Sequence, residues 1–259
     1  MNRSTTKASS RTRRSLHIAG RALGALSILG LAYGLVLAHP ELMFPYHVNY
    51  RNYEIRSDQP VPPEITQVLD DTDRRLQTSK IHNKQVKDRI FFCNAPWRLW
   101  LYSGQFTTRV GGATLALTQD IFMRASDIPA NRIHPPGPGP IADAAHRPLS
   151  YYLAHEVTHA DVFRRFDLLT AVRLPQWLFE GYPDYVAKGG DFNFDDNRAL
   201  FLAQRPELDF HKSGLYRGFH LKVAYLLDKR HLAVEQIFAN PPGEARLDTW
   251  LRQYRQSEP

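Results

Sequence analysis

The chain opens on one long apolar run and then breaks into short alternating and helical patterns. Residues 22–38 read ALGALSILGLAYGLVLA, seventeen positions without a charge, and extending back to Leu16 gives 23 with Arg21 near one end. At 1.5 Å per residue such a run crosses a hydrocarbon core of about 30 Å, which predicts one transmembrane helix. Residues 47–56 then alternate Val48, Tyr50 and Ile55 imperfectly with polar side chains and predict a strand or two. After the break at Pro60 to Pro63, residues 64–80 set Ile65, Val68, Leu69, Thr72 and Leu76 at helical spacing. Residues 90–93 read as a short buried strand, and residues 114–123 (TLALTQDIFM), following Gly111-Gly112, as another. The apolar, aromatic run from Trp97 to Tyr102 fits neither period.

Residues 129–148 contain Pro135-Pro136-Gly137-Pro138-Gly139-Pro140 and predict a loop, with an interdomain linker as the alternative. Beyond it the pattern is mostly helical, over residues 149–166, 175–188, 197–204, 215–229, 232–239 and 244–254. Strands come first and helices later, so the expected class is α+β rather than a parallel βαβ sheet. There is no internal repeat.

Composition changes this picture only through where the charge lies. A hydrophobic content of 43% with 23% charged residues is that of a globular protein. A pI near 9.5 would suggest a polyanionic partner. However, Arg3, Lys7, Arg11, Arg13, Arg14 and Arg21 account for six of the 33 basic residues, and all precede residue 22. The remaining 27 face 26 acidic residues, so the rest of the chain is nearly neutral and no nucleic-acid partner is expected. The basic flank speaks of topology instead. It keeps residues 1–21 cytoplasmic, makes 22–38 the anchor, and sends a domain over 45–256 to the periplasmic or extracellular side. A cleaved signal is the alternative, since Val36-Leu37-Ala38 resembles a cleavage site and Arg13-Arg14 weakly echoes a twin-arginine signal. The run exceeds the apolar core of about 7–15 residues usual in signals, which favours an anchor. The lone cysteine, Cys93, can form neither an internal disulfide nor a thiolate metal site, and reads as a buried strand residue.

Candidate chemistry begins at His155-Glu156-Val157-Thr158-His159, an H-E-x-x-H sequence inside a predicted helix. Two His four residues apart differ by about 40° around the axis, so both imidazoles leave one face and can meet one ion. Glu156 lies about 100° away, near enough to reach a metal-bound water without ligating the metal. Two neutral nitrogens and a carboxylate suit Zn²⁺ with a fourth position left for water. Chance supplies the motif about 0.02 times in a chain of this composition, so it is informative but needs a third ligand.

Downstream comes Leu174-Pro175-Gln176-Trp177-Leu178-Phe179-Glu180-Gly181, with twenty residues between His159 and Glu180. The two motifs together resemble the glutamate-ligand zincins (gluzincins), and among them the peptidase MA-like families with W-x-x-E-G. The resemblance spans roughly residues 46–254 and is specific over 151–185. It implies a zincin-like α+β domain in which His155, His159 and Glu180 hold Zn²⁺ and Glu156 acts as general base. It implies a peptide or protein substrate, lying along the strand at residues 114–123 as an added edge strand, with Gly111-Gly112-Ala113 permitting close approach. Asp184, four residues after Glu180, is expected to hydrogen-bond a ligand imidazole. Pro183 departs from the family pattern and predicts a kink there. The oxyanion donor is placed on Tyr216, which resembles the tyrosine opening the corresponding helix in those families. His220 is a second candidate, and Tyr225 reads as core packing. The alternatives are a membrane-tethered zinc scaffold without turnover, which has no need of Glu156, and a hydrolase of non-peptide amides or esters.

Overall fold

Alternation in the first half of the chain resolves into a mixed sheet, and the helices that follow pack largely on one of its faces. The computed structural model describes residues 5–135 and 147–255, so the loop motif at 136–140 lies outside the described residues. The chain divides into two compact units, residues 1–43 and 44–259.

In the first unit, helix α1 (Thr5–Ala38) runs without interruption through the basic segment, and a 3₁₀ turn follows over Pro40–Met43. Its stretch Gly20–Ala38 is long and apolar enough to cross a membrane, and none of it is buried.

In the second unit, the alternating residues near 47–56 form two strands, β1 (Tyr46–Tyr50) and β2 (Tyr53–Ser57). They are joined by a tight turn with Arg51 at φ 52°. Helix α2 (Ile65–Leu76) buries all five of its predicted core positions. Strand β3 (Asp88–Cys93) follows, then α3 (Pro96–Tyr102), β4 (Gly112–Thr114), β5 (Ile121–Arg124) and a small hairpin of β6 (Ser126–Asp127) and β7 (Arg132–Ile133). Cys93 is buried in β3, and burial pushes its thiol pKa up.

The five-stranded sheet has the order β1-β2-β3-β5-β4. Two sequence expectations are corrected here. Residues 114–123 are not one strand: β4 and β5 pair antiparallel around a turn closed by the Leu115 amide donating to the Asp120 carbonyl at 3.0 Å. The apolar letters of that turn include Leu117, which is 80% exposed. The centre of the sheet is also parallel, β2 with β3 and β3 with β5, because α2 and α3 each carry the chain across. The class remains mixed α+β.

The sheet is covered on both faces, which explains why β3 reads as a continuous apolar run. On one face Ile90, Phe92, Ile121 and Met123 join the main core with α2 and the later helices. On the other, Phe91 and Phe122 stack at 5.0 Å, Tyr102 of α3 stacks on Phe122 at 4.6 Å, and Phe44 closes against Phe91 at 5.2 Å.

The helical part comprises α4 (Leu149–Arg165), α5 (Leu168–Arg173), α6 (Gln176–Phe179), α7 (Gly181–Lys188), α8 (Phe194–Leu202), α9 (Phe210–Ser213), α10 (Arg217–Ala224), α11 (Val234–Ala239) and α12 (Glu244–Gln253). A π-helical turn over Tyr225–Lys229 extends α10. Tyr225 is buried there, as expected of a core residue. The single helix expected over 175–188 is interrupted at Glu180, between α6 and α7. Pro183 therefore falls in the first turn of α7, where its missing N–H costs no helical bond and no kink follows. Gly181 is there because α10 crosses close by: a Cβ would lie 2.8 Å from the Phe219 carbonyl oxygen.

Candidate metal centre

Helix α4 is buried around its whole circumference from Leu149 to Val162, so its polar residues must find partners inside the protein. It packs against α2, α7, β4 and β5. Asn131 accepts from the Ser150 amide at 3.0 Å at its start, and Arg164 pairs with Asp88 at 2.7 Å near its end. Asp161 accepts from His82 Nδ1 at 2.8 Å on the side of α4 away from the two motif histidines. These bonds fix the rotation of the helix, and with it the direction in which His155 and His159 point.

The two imidazoles meet Nε2 to Nε2 at 3.2 Å. Glu180 brings Oε2 to 3.3 Å from His155 Nε2 and 3.6 Å from His159 Nε2. Sequence spacing paired His155 with His159 and the resemblance added Glu180, and the structure brings the donor atoms of all three within 4.8 Å of one another. Metal bonds of about 2.0–2.1 Å at tetrahedral angles put neighbouring ligand atoms about 3.3 Å apart, so the donor set fits Zn²⁺ in both chemistry and spacing. The fit has one departure. Neither His155 Nδ1 nor His159 Nδ1 has a hydrogen-bond partner among the described residues, although ligand imidazoles usually donate from that nitrogen.

Electrostatics follow from the crowding. Burial opposes ionisation of Glu180, yet the two imidazoles hydrogen-bonded to it hold its carboxyl below the usual carboxylate range. Burial likewise disfavours a charged His159, and the Glu180 carboxylate outweighs it and raises the imidazole pKa.

The three residues line a cavity of about 410 Å³ shared with Glu156, Thr114, Tyr216, Tyr151 and Arg147. Glu156 is held from the sheet side. The Thr114 hydroxyl lies 2.8 Å from Glu156 Oε2 and 2.9 Å from the Glu156 carbonyl, so its proton is shared between two acceptors. Strand β4 reaches this close because it carries glycine: a Cβ on Gly112 would lie 2.8 Å from Glu156 Cγ, and one on Gly111 would lie 2.6 Å from the Tyr152 ring. The close approach expected at Gly111-Gly112 is therefore made to α4, and β4, not the whole of 114–123, is the edge strand beside the cavity.

Tyr216, just before α10, lines the cavity. Its ring is nearly parallel to that of His155, 5.5 Å between centroids. Burial first, then the Glu180 charge and a hydrogen bond to that carboxylate, raise its hydroxyl pKa well above the ordinary value. Asp184 is a correction. Although its amide bonds the Glu180 carbonyl at 3.1 Å, in helical register, its carboxylate is taken up by partners other than the two motif imidazoles. It accepts from Tyr151 Oη, from His220 Nδ1 at 3.0 Å and from Lys188 Nζ at 2.9 Å. His220, the second oxyanion candidate, is spent on that bond. Its ring stacks on Phe192 at 3.6 Å and does not line the cavity.

Three cavity residues escaped the sequence reading. Thr114 was seen only as a strand residue, Tyr151 only as a helix position, and Arg147 not at all. Arg147 donates to Tyr151 Oη at 2.9 Å and stands 4.0 Å from Asp184. Comparison of the chain with protein-family models, curated proteins and solved structures gives no match.

Proposed function

We propose that the protein is a zinc-dependent peptidase of the gluzincin type, anchored by α1 with the second unit outside the cytoplasm. The observation that carries this reading is the convergence of His155 Nε2, His159 Nε2 and Glu180 Oε2 at separations of 3.2 to 3.6 Å. A zinc ion held by these three residues supplies Lewis-acid polarisation of a carbonyl and activation of water near neutral pH.

The chain's own groups supply the remainder. Glu156 takes a proton from the attacking water on its carboxylate and passes it to the leaving amine. Thr114 positions that carboxylate through its hydroxyl. Tyr216 donates its phenolic hydrogen towards the developing oxyanion, a task for which a raised pKa keeps the proton in place at working pH. The substrate backbone adds to β4, the sheet edge that borders the cavity. The six basic residues ahead of the apolar run support an inward N-terminus.

The test uses the full chain loaded with zinc and an unbiased peptide library read by mass spectrometry. Wild type is expected to cleave, and Glu156→Gln to keep zinc while losing cleavage by several orders of magnitude. Retained cleavage by Glu156→Gln would overturn the assigned base. A zinc-loaded wild type inert to the whole library would point to a tethered binding domain instead.

A further inference from the structure

Away from the cavity, α3 and the loop after it carry an unusual surface. Trp97 and Trp100 are 50% and 46% exposed, and Phe106, 50% exposed, lies against Trp100 at 4.9 Å between ring centroids. The turn between β4 and β5 meets this loop, since a Cβ on Gly104 would touch Leu115 at 3.5 Å, and it ends in the exposed Leu117. Large exposed aromatics clustered in one place mark a contact surface.

Two further observations say what it contacts. Residues 89–119 contain no aspartate or glutamate; of their three arginines, Arg89 pairs with Asp120 at 3.1 Å and Arg98 with Asp58 at 2.9 Å, and Arg109 is exposed. The chain also enters the second unit beside α3: the Phe44 ring lies 5.7 Å from Tyr102, and the Arg98 guanidinium sits 5.8 Å from the Phe44 centroid. Phe44 is six residues beyond Ala38, the end of the apolar helix, and six residues reach at most about 22 Å. The aromatic surface thus lies beside the point where the chain enters the second unit, and at most about 22 Å of chain separates that point from the end of the apolar helix. Tryptophan, with an apolar body and a polar N–H, favours the headgroup level of a bilayer, and the exposed Arg109 on the loop after the tryptophans suits anionic lipid.

We propose that α3, the loop through Phe106 and the β4–β5 turn rest on the surface of an anionic phospholipid bilayer, as a second contact besides the anchor. Ser103 and Gln105 of the same loop line the cavity, so this seating brings the cavity mouth close to the lipid surface. The contact does not depend on the metal centre or on turnover.

The four tryptophans make the test direct, because none lies in the apolar helix. Trp177 is fully buried, and Trp250 packs between Arg230 and Arg246. The full chain is reconstituted in vesicles of phosphatidylcholine and phosphatidylglycerol, with and without bromine on the acyl chains near the headgroup. Brominated lipid is expected to remove at least a third of wild-type tryptophan emission, and the same share from Trp250→Phe. The Trp97→Phe/Trp100→Phe double variant, with unchanged thermal stability, is expected to lose less than a tenth. Equal quenching of wild type and double variant, or quenching of neither, would overturn the proposal. Wild-type emission indifferent to bromine but blue-shifting with protein density would overturn it in favour of a second copy of the chain covering the patch.

Discussion

Replacing Gly112 by alanine moves Glu156 without altering any group assigned to the chemistry. A Cβ at this position would sit 2.8 Å from Glu156 Cγ, 2.8 Å from Met123 Sδ and 3.1 Å from Glu156 Oε1. Comfortable contacts between such atoms are about 3.5–4.0 Å, so something must yield by about 0.7 Å or more. Met123 is fully buried in β5, and the backbone of α4 is enclosed on every side, which leaves the Glu156 side chain, open towards the cavity, as the group that gives way. Its carboxylate then leaves the Thr114 hydroxyl. Misplacing a reacting group by about 1 Å costs on the order of a hundredfold in rate, and overpacking of this kind costs about 1–3 kcal/mol of stability. For Gly112→Ala the expected result is a drop in kcat/KM of about a hundredfold on the best library peptide, at undiminished zinc per chain and with a Tm lower by several degrees. Gly243→Ala, where a Cβ meets nothing within 4 Å, serves as the control and is expected to match wild type in kcat/KM and zinc per chain. Activity within threefold of wild type would refute the reasoning. Zinc lost together with activity would also refute it, because the close strand would then be holding the ligands rather than the base.

Two further substitutions bear on the surroundings of the site. Thr114→Val removes a hydroxyl proton shared between two acceptors, worth about 1–2 kcal/mol, so kcat/KM is expected to fall about five- to thirtyfold while Thr114→Ser restores it; a serine variant as slow as the valine one would show that the methyl, not the hydroxyl, matters. Asp88 is fully buried, and burial together with repulsion from Asp161 pushes its pKa up to about 6 against the pull of Arg164. A raised carboxyl pKa makes its contribution to stability most favourable below the ordinary value of about 3.9, and that contribution is lost as pH rises through 6. The stability difference between Asp88→Asn and wild type is therefore expected to shift by about 2 kcal/mol in favour of the variant from pH 4 to pH 7.5, and a difference flat with pH in thermal or chemical melts would contradict this.

What could be read from the sequence was what a single element fixes. His155, Glu156 and His159 share one helix, so the helical period alone sets their relative directions. Glu180 and Tyr216 were reachable only through resemblance, because nothing local says that the start of α7 and the residue before α10 return to α4. Thr114 was out of reach for the same reason: its partner is 42 residues away, and only the Gly111-Gly112 pair hinted at a close approach, without saying to what. Asp184 misled because helical spacing gives the face a side chain leaves and not its partner: its amide does bond the Glu180 carbonyl at 3.1 Å, yet its carboxylate meets Tyr151, His220 and Lys188. The parallel pairing of β2, β3 and β5 depends on crossovers by α2 and by the seven-residue α3, which is too short to display a period. Strand β3 announced its burial on both faces through an unbroken apolar run, but such a run does not give the direction of its neighbours.

The central claim is that His155, His159 and Glu180 form one zinc site. Its most direct test is a competition titration of zinc against a chromophoric chelator, with wild type, His155→Ala, His159→Ala and Glu180→Ala all purified as the full chain. The account predicts one equivalent bound tightly by wild type, and a loss of affinity of at least a hundredfold for each of the three variants. A Glu180→Ala protein that holds zinc as tightly as wild type would contradict it.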